Sequence, residues 1–264
     1  MKRLIFTLYH DGTSFCLSRN FNLQHVGNSQ WLKNNYGFSN TSSAIDELFI
    51  LNVNRKETST QLDFFLSEVR SLTSDVFVPI TIGGQIRDIN RASLYFKNGA
   101  DKVLLNSSCH YDKELMRSIC RHYGRQSLVS GFDCKKASAS FDYNVYANNG
   151  EKLICPIKQI NFASVQELCG EILFQSIDND GNGSGYDMNL VSVIKELELD
   201  NPVILTGGAG KPEHFVELCS SYPMVSGIST GNLFNFLGGA LFKVRQNLID
   251  LGNDFPSFNH SQIY

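Results

Sequence analysis

The sequence predicts a (β/α)8 TIM barrel made of two pseudo-symmetric half-barrels, and three observations predict it. Eight short, almost continuously apolar runs alternate with segments of helical periodicity, the pattern of strands buried on both faces of a parallel sheet. A length of 264 residues suits one eight-stranded barrel. The second half also echoes the first at a constant offset of 124 residues. Gly83 and Gly84 in FVPITIGGQI return as Gly207 and Gly208 in NPVILTGGAG, Glu47 as Glu171, Asn106-Ser107 as Thr230-Gly231, and Tyr9 as Asp133. Four echoes in one register point to two copies of one structural unit.

The strands expected are RLIFTL (3–8), ELFILN (47–52), PITIGG (79–84), KVLLNS (102–107), SLVSGFD (127–133), EILFQSI (171–177), PVILTGG (202–208) and VSGIST (225–230). Amphipathic segments of helical length lie between most of them: 61–73, 88–99, 112–124, 189–198 and 213–222. Asp88 and Pro212 stand where helices should start, and Gly99 and Gly124 where they should end. Residues 19–45, rich in Asn and Ser, read as a long first βα loop. Residues 134–165 read as a loop with a hairpin after the fifth strand. No linker interrupts the alternation, so 1–264 reads as a single domain. In such barrels the long βα loops cover the face at the strands' C-terminal ends, where active sites sit.

Bulk properties narrow the partners. Hydrophobic residues make up 42% of the chain, enough for a core, and the formal charge is −3, which argues against a nucleic-acid or membrane-surface partner. No apolar stretch approaches the ~20 residues of a membrane helix. The apolar run at the N-terminus is short and leads into a His-Asp-Gly turn, so it reads as a first strand rather than a signal peptide. Seven scattered cysteines without a C-x-x-C pair read as buried thiols in a reducing, cytoplasmic setting. Six dispersed histidines give no metal-ligand spacing, so neither a metal nor a cofactor is expected.

Four small or polar turns follow strands three, four, seven and eight: Gly83-Gly84, Asn106-Ser107, Gly207-Gly208 and Thr230-Gly231. Backbone N–H groups at such turns hold phosphate without a basic side chain, and phosphate sites after strands seven and eight recur in this fold. The alternative is that each Gly-Gly only makes a tight strand exit. Two such pairs predict an elongated ligand phosphorylated at both ends. Asp133 closes the fifth strand at the mouth, as a candidate general acid or base or as an acid that holds loop amides. The loop IDNDGNGSGYD (177–187) carries Asp178 and Asp180. It lacks the terminal glutamate of a calcium loop and reads as a flexible acidic active-site loop. At the opposite end, Arg3, Glu47, Lys102 and Glu171 start strands one, two, four and six. Pointing inward, they would form a ring of two cations and two anions. Buried charge requires such pairing, and the ring is either a structural plug or a gate for a small polar molecule.

The motifs DELFIL (46–51), IGGQI (82–86), GADKVLLNS (99–107), YGRQSLVSGFD (123–133), GEILFQSIDNDGNGSGYD (170–187) and TGGAGKPEHF (206–215) together resemble the HisF family, the cyclase subunits of imidazole glycerol phosphate synthase. The resemblance covers nearly the whole chain and is weakest at 19–45 and 134–165. It implies a bis-phosphorylated ribulosyl ligand across the mouth and a HisH-like glutaminase docked at the barrel bottom, sending ammonia through the barrel. By resemblance Arg3, Glu47, Lys102 and Glu171 match the family's charged gate, and Asp101 an acid at the glutaminase interface. Gly84, Asn106 and Ser107 match one phosphate site, and Gly181, Gly208, Thr230 and Gly231 the other. Asp133 matches one of two catalytic aspartates, and Asp180 an acid of the flexible loop.

The chain also departs from that pattern. The family's first catalytic aspartate ends strand one in a C-L-D-V context, whereas the segment here is T-L-Y-H and places Tyr9 there. Asp11 belongs to the following turn and matches a different position. A family lysine near the phosphate has become Cys16 or Leu17, and an aspartate ending strand two has become Asn52. Imidazole ring closure needs an acid and a base on opposite sides of the substrate. A phenol with an ordinary pKa near ~10 can donate a proton but is a poor carboxylate substitute. Three functions follow from the resemblance. One is a HisF-like synthase subunit that passes ammonia to a different phosphorylated or sugar-linked acceptor in amidino-sugar and polysaccharide biosynthesis, with a third amidotransferase-like protein. The second is a genuine cyclase of histidine biosynthesis, in which Asp133 works with Tyr9, His10 or Asp11. The third is a non-catalytic ammonia conduit. An altered mouth above a complete set of gate residues favours the first.

Overall fold

The computed structural model describes residues 1–257 apart from 37, 39–41, 43, 75, 139–141 and 233–238. Its strands are β1 (Arg3–His10), β2 (Phe15–Arg19), β3 (Asn22–Gly27), β4 (Glu47–Asn52), β5 (Ile80–Gly83), β6 (Lys102–Leu105), β7 (Leu128–Lys136), β8 (Tyr143–Ala147), β9 (Lys152–Pro156), β10 (Glu171–Ser176), β11 (Val203–Thr206) and β12 (Gly227–Thr230). Eight of them, β1, β4, β5, β6, β7, β10, β11 and β12, pair in parallel in that order. The β1–β12 pairing closes the ring. They are the eight strands that the apolar runs predict, with ends shifted by a few residues. The fold is a (β/α)8 barrel, and the echo divides it into β1, β4, β5, β6 and β7, β10, β11, β12.

Helices separate the strands. The principal ones are α1 (Ser59–Thr73), α2 (Ile89–Lys97), α3 (Ser107–Tyr111), α4 (Lys113–Tyr123), α5 (Phe162–Gln166), α6 (Met188–Lys195), α7 (Pro212–Ser221) and α8 (Ala240–Asp250). Five of them, α1, α2, α4, α6 and α7, lie where periodicity places them. The starts of α1, α2, α4, α5 and α6 are capped by side chains that satisfy otherwise unpaired first-turn N–H groups. Thr58 and Gln61 form a reciprocal capping box on α1. The Asp88 carboxylate accepts from Arg91 N at 2.8 Å, and Asp187 from Leu190 N at 3.1 Å.

The two loops read as irregular behave differently. The stretch after β7 carries the expected hairpin, β8–β9. The first loop carries a hairpin the sequence did not predict: β2 returns antiparallel to β1 and pairs with β3, with a bulge at Phe15/Cys16. Residues 37, 39–41, 43 and 139–141 of these stretches lie outside the described residues.

Side chains inside the barrel stack in layers, as alternation along β4 shows. Glu47 lies in the bottom layer and Phe49 in the middle one, while Leu48 and Ile50 turn outward into the core beneath the helices. The middle layer is apolar: Ile5, Phe49, Leu104, Val129, Leu173 and Ile204, with Leu51 against it. Each fully buried aliphatic or aromatic side chain contributes roughly 1.5–3 kcal/mol. This layer separates a charged bottom from a polar mouth.

Candidate active site at the barrel mouth

Two adjacent cavities open at the C-terminal ends of the strands, and Tyr9, Ser18 and Thr206 line both. The first holds Gly84, Asn106, Ser107 and Asp133. The second holds Asp180, Gly181, Gly207, Gly208, Thr230 and Gly231. The small turns predicted from the repeat thus sort into two cradles, one per half-barrel. Gly83 is the exception. It belongs to β5 and packs between Leu51 and Leu104, outside both cavities, so its place in the predicted phosphate set is not supported by its position. Gly84 is glycine for a backbone reason: its φ is +95° and a Cβ there would run into the Asn52 carbonyl oxygen.

The centre of the mouth is a chain of polar side chains. The Tyr9 hydroxyl accepts from Gln175 Nε2 at 3.0 Å, and the same amide lies 3.4 Å from Asp180 Oδ1. Gln175 is level with Asp133 on β7 and with Thr206 on β11. Burial raises the Tyr9 pKa well above its ordinary 10.0, and the nearby carboxylates of Asp180 and Asp133 raise it further. The phenol therefore stays protonated. Burial pushes Asp133 from 3.8 up to about 7. The Asn106 amide opposes that rise and Asp180 adds to it. A carboxyl that titrates near neutrality suits general acid–base work.

Asp180 does not sit on a free acidic loop. Its Oδ2 accepts from the Ser18 hydroxyl and from Phe21 N at 3.1 Å, and its carbonyl accepts from Asn20 N at 2.9 Å. These bonds latch the β2–β3 hairpin onto the loop after β10. Burial raises the Asp180 pKa, against the lowering effect of these hydrogen bonds.

The other candidates near strand one point elsewhere. Asp11 Oδ1 accepts from Thr13 N at 2.9 Å, Thr13 Oγ1 at 2.7 Å and Ser14 N at 3.0 Å. It lines neither cavity, so the structure does not bring it to Tyr9 and Asp133. His10 alternates outward, with its ring 5.0 Å from Phe15 and packed on Phe64 and Phe65. Its Nδ1 accepts from Gly12 N at 3.0 Å, and burial lowers its pKa to about 4. Asn52 spends its side chain on Glu57 and on Asn54 N. Cys16 is buried, with its thiol pushed up to about 11 by burial and by Asp11. Asp11, Cys16 and His25 offer donor atoms within 4.8 Å of one another, and none of the three lines either mouth cavity.

At the barrel bottom the ring is closed. Arg3 bridges Glu47 at 2.6 Å and Glu171 at 3.0 Å, and Lys102 bridges the same carboxylates at 3.0 and 2.9 Å. Thr81 Oγ1 donates to Glu47 at 2.8 Å. Burial alone would raise the Glu171 pKa, and the two cations more than offset it and hold it low. Asp101 lies exposed beside the ring and accepts from Ile80 N at 2.8 Å. Sequence reasoning missed Gln175, Ser18 and Thr206. It also missed Arg55 and Arg87, which line the first cavity; Gln175 and Thr206 lie inside motifs read for their neighbours, and no local motif marks Ser18, Arg55 or Arg87.

Residues 39–237 match the model of the family described as histidine biosynthesis protein. A protein of Parasynechococcus marenigrum that carries the provisional name imidazole glycerol phosphate synthase subunit hisF2 is 40% identical over 242 residues, 91% of this chain and 87% of that one. The imidazole glycerol phosphate synthase subunit HisF of Pelodictyon phaeoclathratiforme is 35% identical over 77% of this chain and 76% of its own. That of Streptococcus mutans is 34% identical over 72% and 74%.

Proposed function

The chain belongs to the HisF group of the histidine biosynthesis protein family, and from that premise we propose that it is the synthase subunit of a glutamine amidotransferase complex with an acceptor other than the imidazole precursor. Ammonia enters from a HisH-like glutaminase at the barrel bottom, near Asp101. It passes the ring of Arg3, Glu47, Lys102 and Glu171, crosses the apolar layer and reaches the mouth. There the acceptor is a phosphorylated or sugar-linked molecule of amidino-sugar and polysaccharide biosynthesis. The net change is replacement of an amide oxygen by nitrogen with release of water. Activation of that oxygen falls to a third, amidotransferase-like protein.

One observation carries this reading. Where the resemblance places a catalytic aspartate, the mouth holds the buried, protonated phenol of Tyr9, bonded to Gln175. No second carboxylate free to act as a base faces Asp133 among the described residues, because Asp180 is tied to the hairpin. The delivery end of the barrel has no comparable change.

The test is reconstitution with 15N-amide glutamine, the glutaminase, the third protein and an N-acetylated nucleotide sugar. Mass spectrometry should find 15N in the sugar only when this chain is present. Equal labelling without it would refute the proposal. A second reading, imidazole ring closure, draws support from Asp133, whose pKa of about 7 suits that chemistry. A pure conduit remains the third, and tight binding of a bis-phosphorylated ligand at the mouth would exclude it.

A further inference from the structure

We propose that Asp11, Cys16 and His25 form a site for a zinc-class divalent cation, with one oxygen, one sulfur and one nitrogen ligand. The inference is independent of the acceptor that the mouth serves, because the mouth chemistry uses none of these three side chains.

Among the described residues this is the one set of three or more His, Cys, Asp or Glu side chains close enough to share an ion: one donor atom from each lies within 4.8 Å of the other two. In the sequence four and eight residues separate them, a spacing outside the familiar zinc motifs, so dispersed histidines gave no signal. The fold gathers them. Cys16 sits on β2, the middle strand of three, opposite Tyr9 on β1 and His25 on β3. Phe15 pairs with Gly27, so an unbroken register would set Cys16 against Val26; the bulge at Phe15/Cys16 skips Val26 and sets it against His25. Asp11 begins the turn between β1 and β2, which Asp11 N closes by donating to Ser14 O at 3.2 Å.

The donors are also oriented. Thr13 N, Thr13 Oγ1 and Ser14 N all donate to Asp11 Oδ1, which fixes the carboxylate and leaves Oδ2 toward His25. Ser14 Oγ lies 2.7 Å from His25 Nδ1. Accepting the Nδ1 proton there leaves the Nε2 lone pair for a metal, the usual outer-shell arrangement of a ligating histidine. Tetrahedral zinc, with bonds of ~2.0–2.1 Å to nitrogen and oxygen, sets two such ligands about 3.3 Å apart. His25 Nε2 and Asp11 Oδ2 are 3.4 Å apart. An imidazolium–carboxylate pair alone would explain that contact, but it gives no part to the buried thiol that converges on the same point. Thiolate with imidazole selects zinc-class ions over magnesium or calcium. On binding, the thiol proton passes to solvent and a sulfur–metal bond replaces the S–H bond. The His25 side chain is 66% exposed, so the ion enters from solvent and a water completes the tetrahedron. The ion would clip the hairpin that carries Leu17 and Ser18 to the mouth cavities.

The experiment is titration of the reduced, chelator-treated full chain with cobalt(II), a coloured stand-in for zinc. The wild type should take up one equivalent, with a sulfur-to-cobalt charge-transfer band and the strong visible bands of tetrahedral cobalt. Zinc should displace them and excess magnesium should not. Cys16→Ser should lose the charge-transfer band. His25→Gln, at an exposed position that the fold does not need, should weaken binding by about tenfold or more. Circular dichroism checks that both variants are folded, and His25→Gln decides the matter if Cys16→Ser is not. No band in the wild type would overturn the proposal. A band that persists in Cys16→Ser would assign the sulfur to another cysteine, and wild-type affinity in His25→Gln would mean an adventitious ion only; either result also overturns it.

Discussion

The side-chain amide of Gln175 donates a 3.0 Å hydrogen bond to the Tyr9 hydroxyl, across the middle of the barrel mouth. That bond joins β1 to β10, one strand from each half-barrel, and sets a neutral pair in the mouth, with Gln175 level with Asp133 on the adjacent strand. It also orients the phenol, so the hydroxyl proton remains available to a ligand or to a nearby carboxylate. Chemistry at this mouth therefore has one free titrating carboxyl, Asp133, and one oriented phenol.

Asp133 makes the fold sensitive to pH. The unfolded chain binds its proton with an ordinary pKa of 3.8 and the folded chain with one of about 7. Between these values the native state holds more protons than the unfolded state, so stability falls as pH rises and stays low above pH 7. The ceiling on the effect is ~4 kcal/mol, reduced by water in the cavity. Asp133→Asn should remove this slope: in melts at pH 4 and pH 8 the wild type should lose more stability than the variant. Parallel profiles would show that Asp133 is ordinary in pKa.

The ring at the bottom separates a gate from a plug. Lys102→Ala leaves Glu47 and Glu171 sharing Arg3 alone. As part of a gate, Lys102 should be needed for coupling: the variant should hydrolyse more glutamine per product formed, with a stability loss of about 1–3 kcal/mol at most. A large fall in melting temperature with unchanged coupling would identify a plug.

The hairpin latch should be measurable directly. Ser18→Ala removes one donor to the Asp180 carboxylate, at a cost of roughly 1–2 kcal/mol for a bond to a charged group. Hydrogen exchange at residues 18–22 should speed up while the barrel strands remain protected. Unchanged exchange there would show that the backbone bonds of Asn20 and Phe21 suffice.

Gly84 should tolerate no side chain. Gly84→Ala places a Cβ against the Asn52 carbonyl at a positive φ, which costs ~2–4 kcal/mol, read as a lower midpoint in urea. Gly99, with φ +98° and open space around it, should lose only the conformational part, about 1 kcal/mol.

Much of this was legible in the sequence, for physical reasons that differ along the chain. The barrel strands are buried on both faces and announce themselves as apolar runs. The ring was visible because charge at the start of an otherwise apolar strand, as at Glu47 and Glu171, is rare enough to require partners. The β2–β3 hairpin was hidden because β3 is mostly exposed and its polar composition resembles a loop. Gln175, Ser18 and Asp180 are brought together from distant parts of the chain, and no spacing rule reports such a contact. Asp11 was misplaced because nearness to Tyr9 in sequence says nothing about direction: a turn aims its carboxylate at Thr13 and Ser14 instead.

The central claim is that Tyr9, bonded to Gln175, leaves this mouth unable to close an imidazole ring. The direct test is a cyclase assay on the purified wild-type chain with the phosphoribulosyl formimino substrate and saturating ammonium salt at mildly alkaline pH, so that no glutaminase is needed. The account predicts folded protein and no imidazole glycerol phosphate above the uncatalysed rate. Turnover above roughly 0.1 per second, within about two orders of magnitude of a median enzyme, would contradict it and make the chain a cyclase.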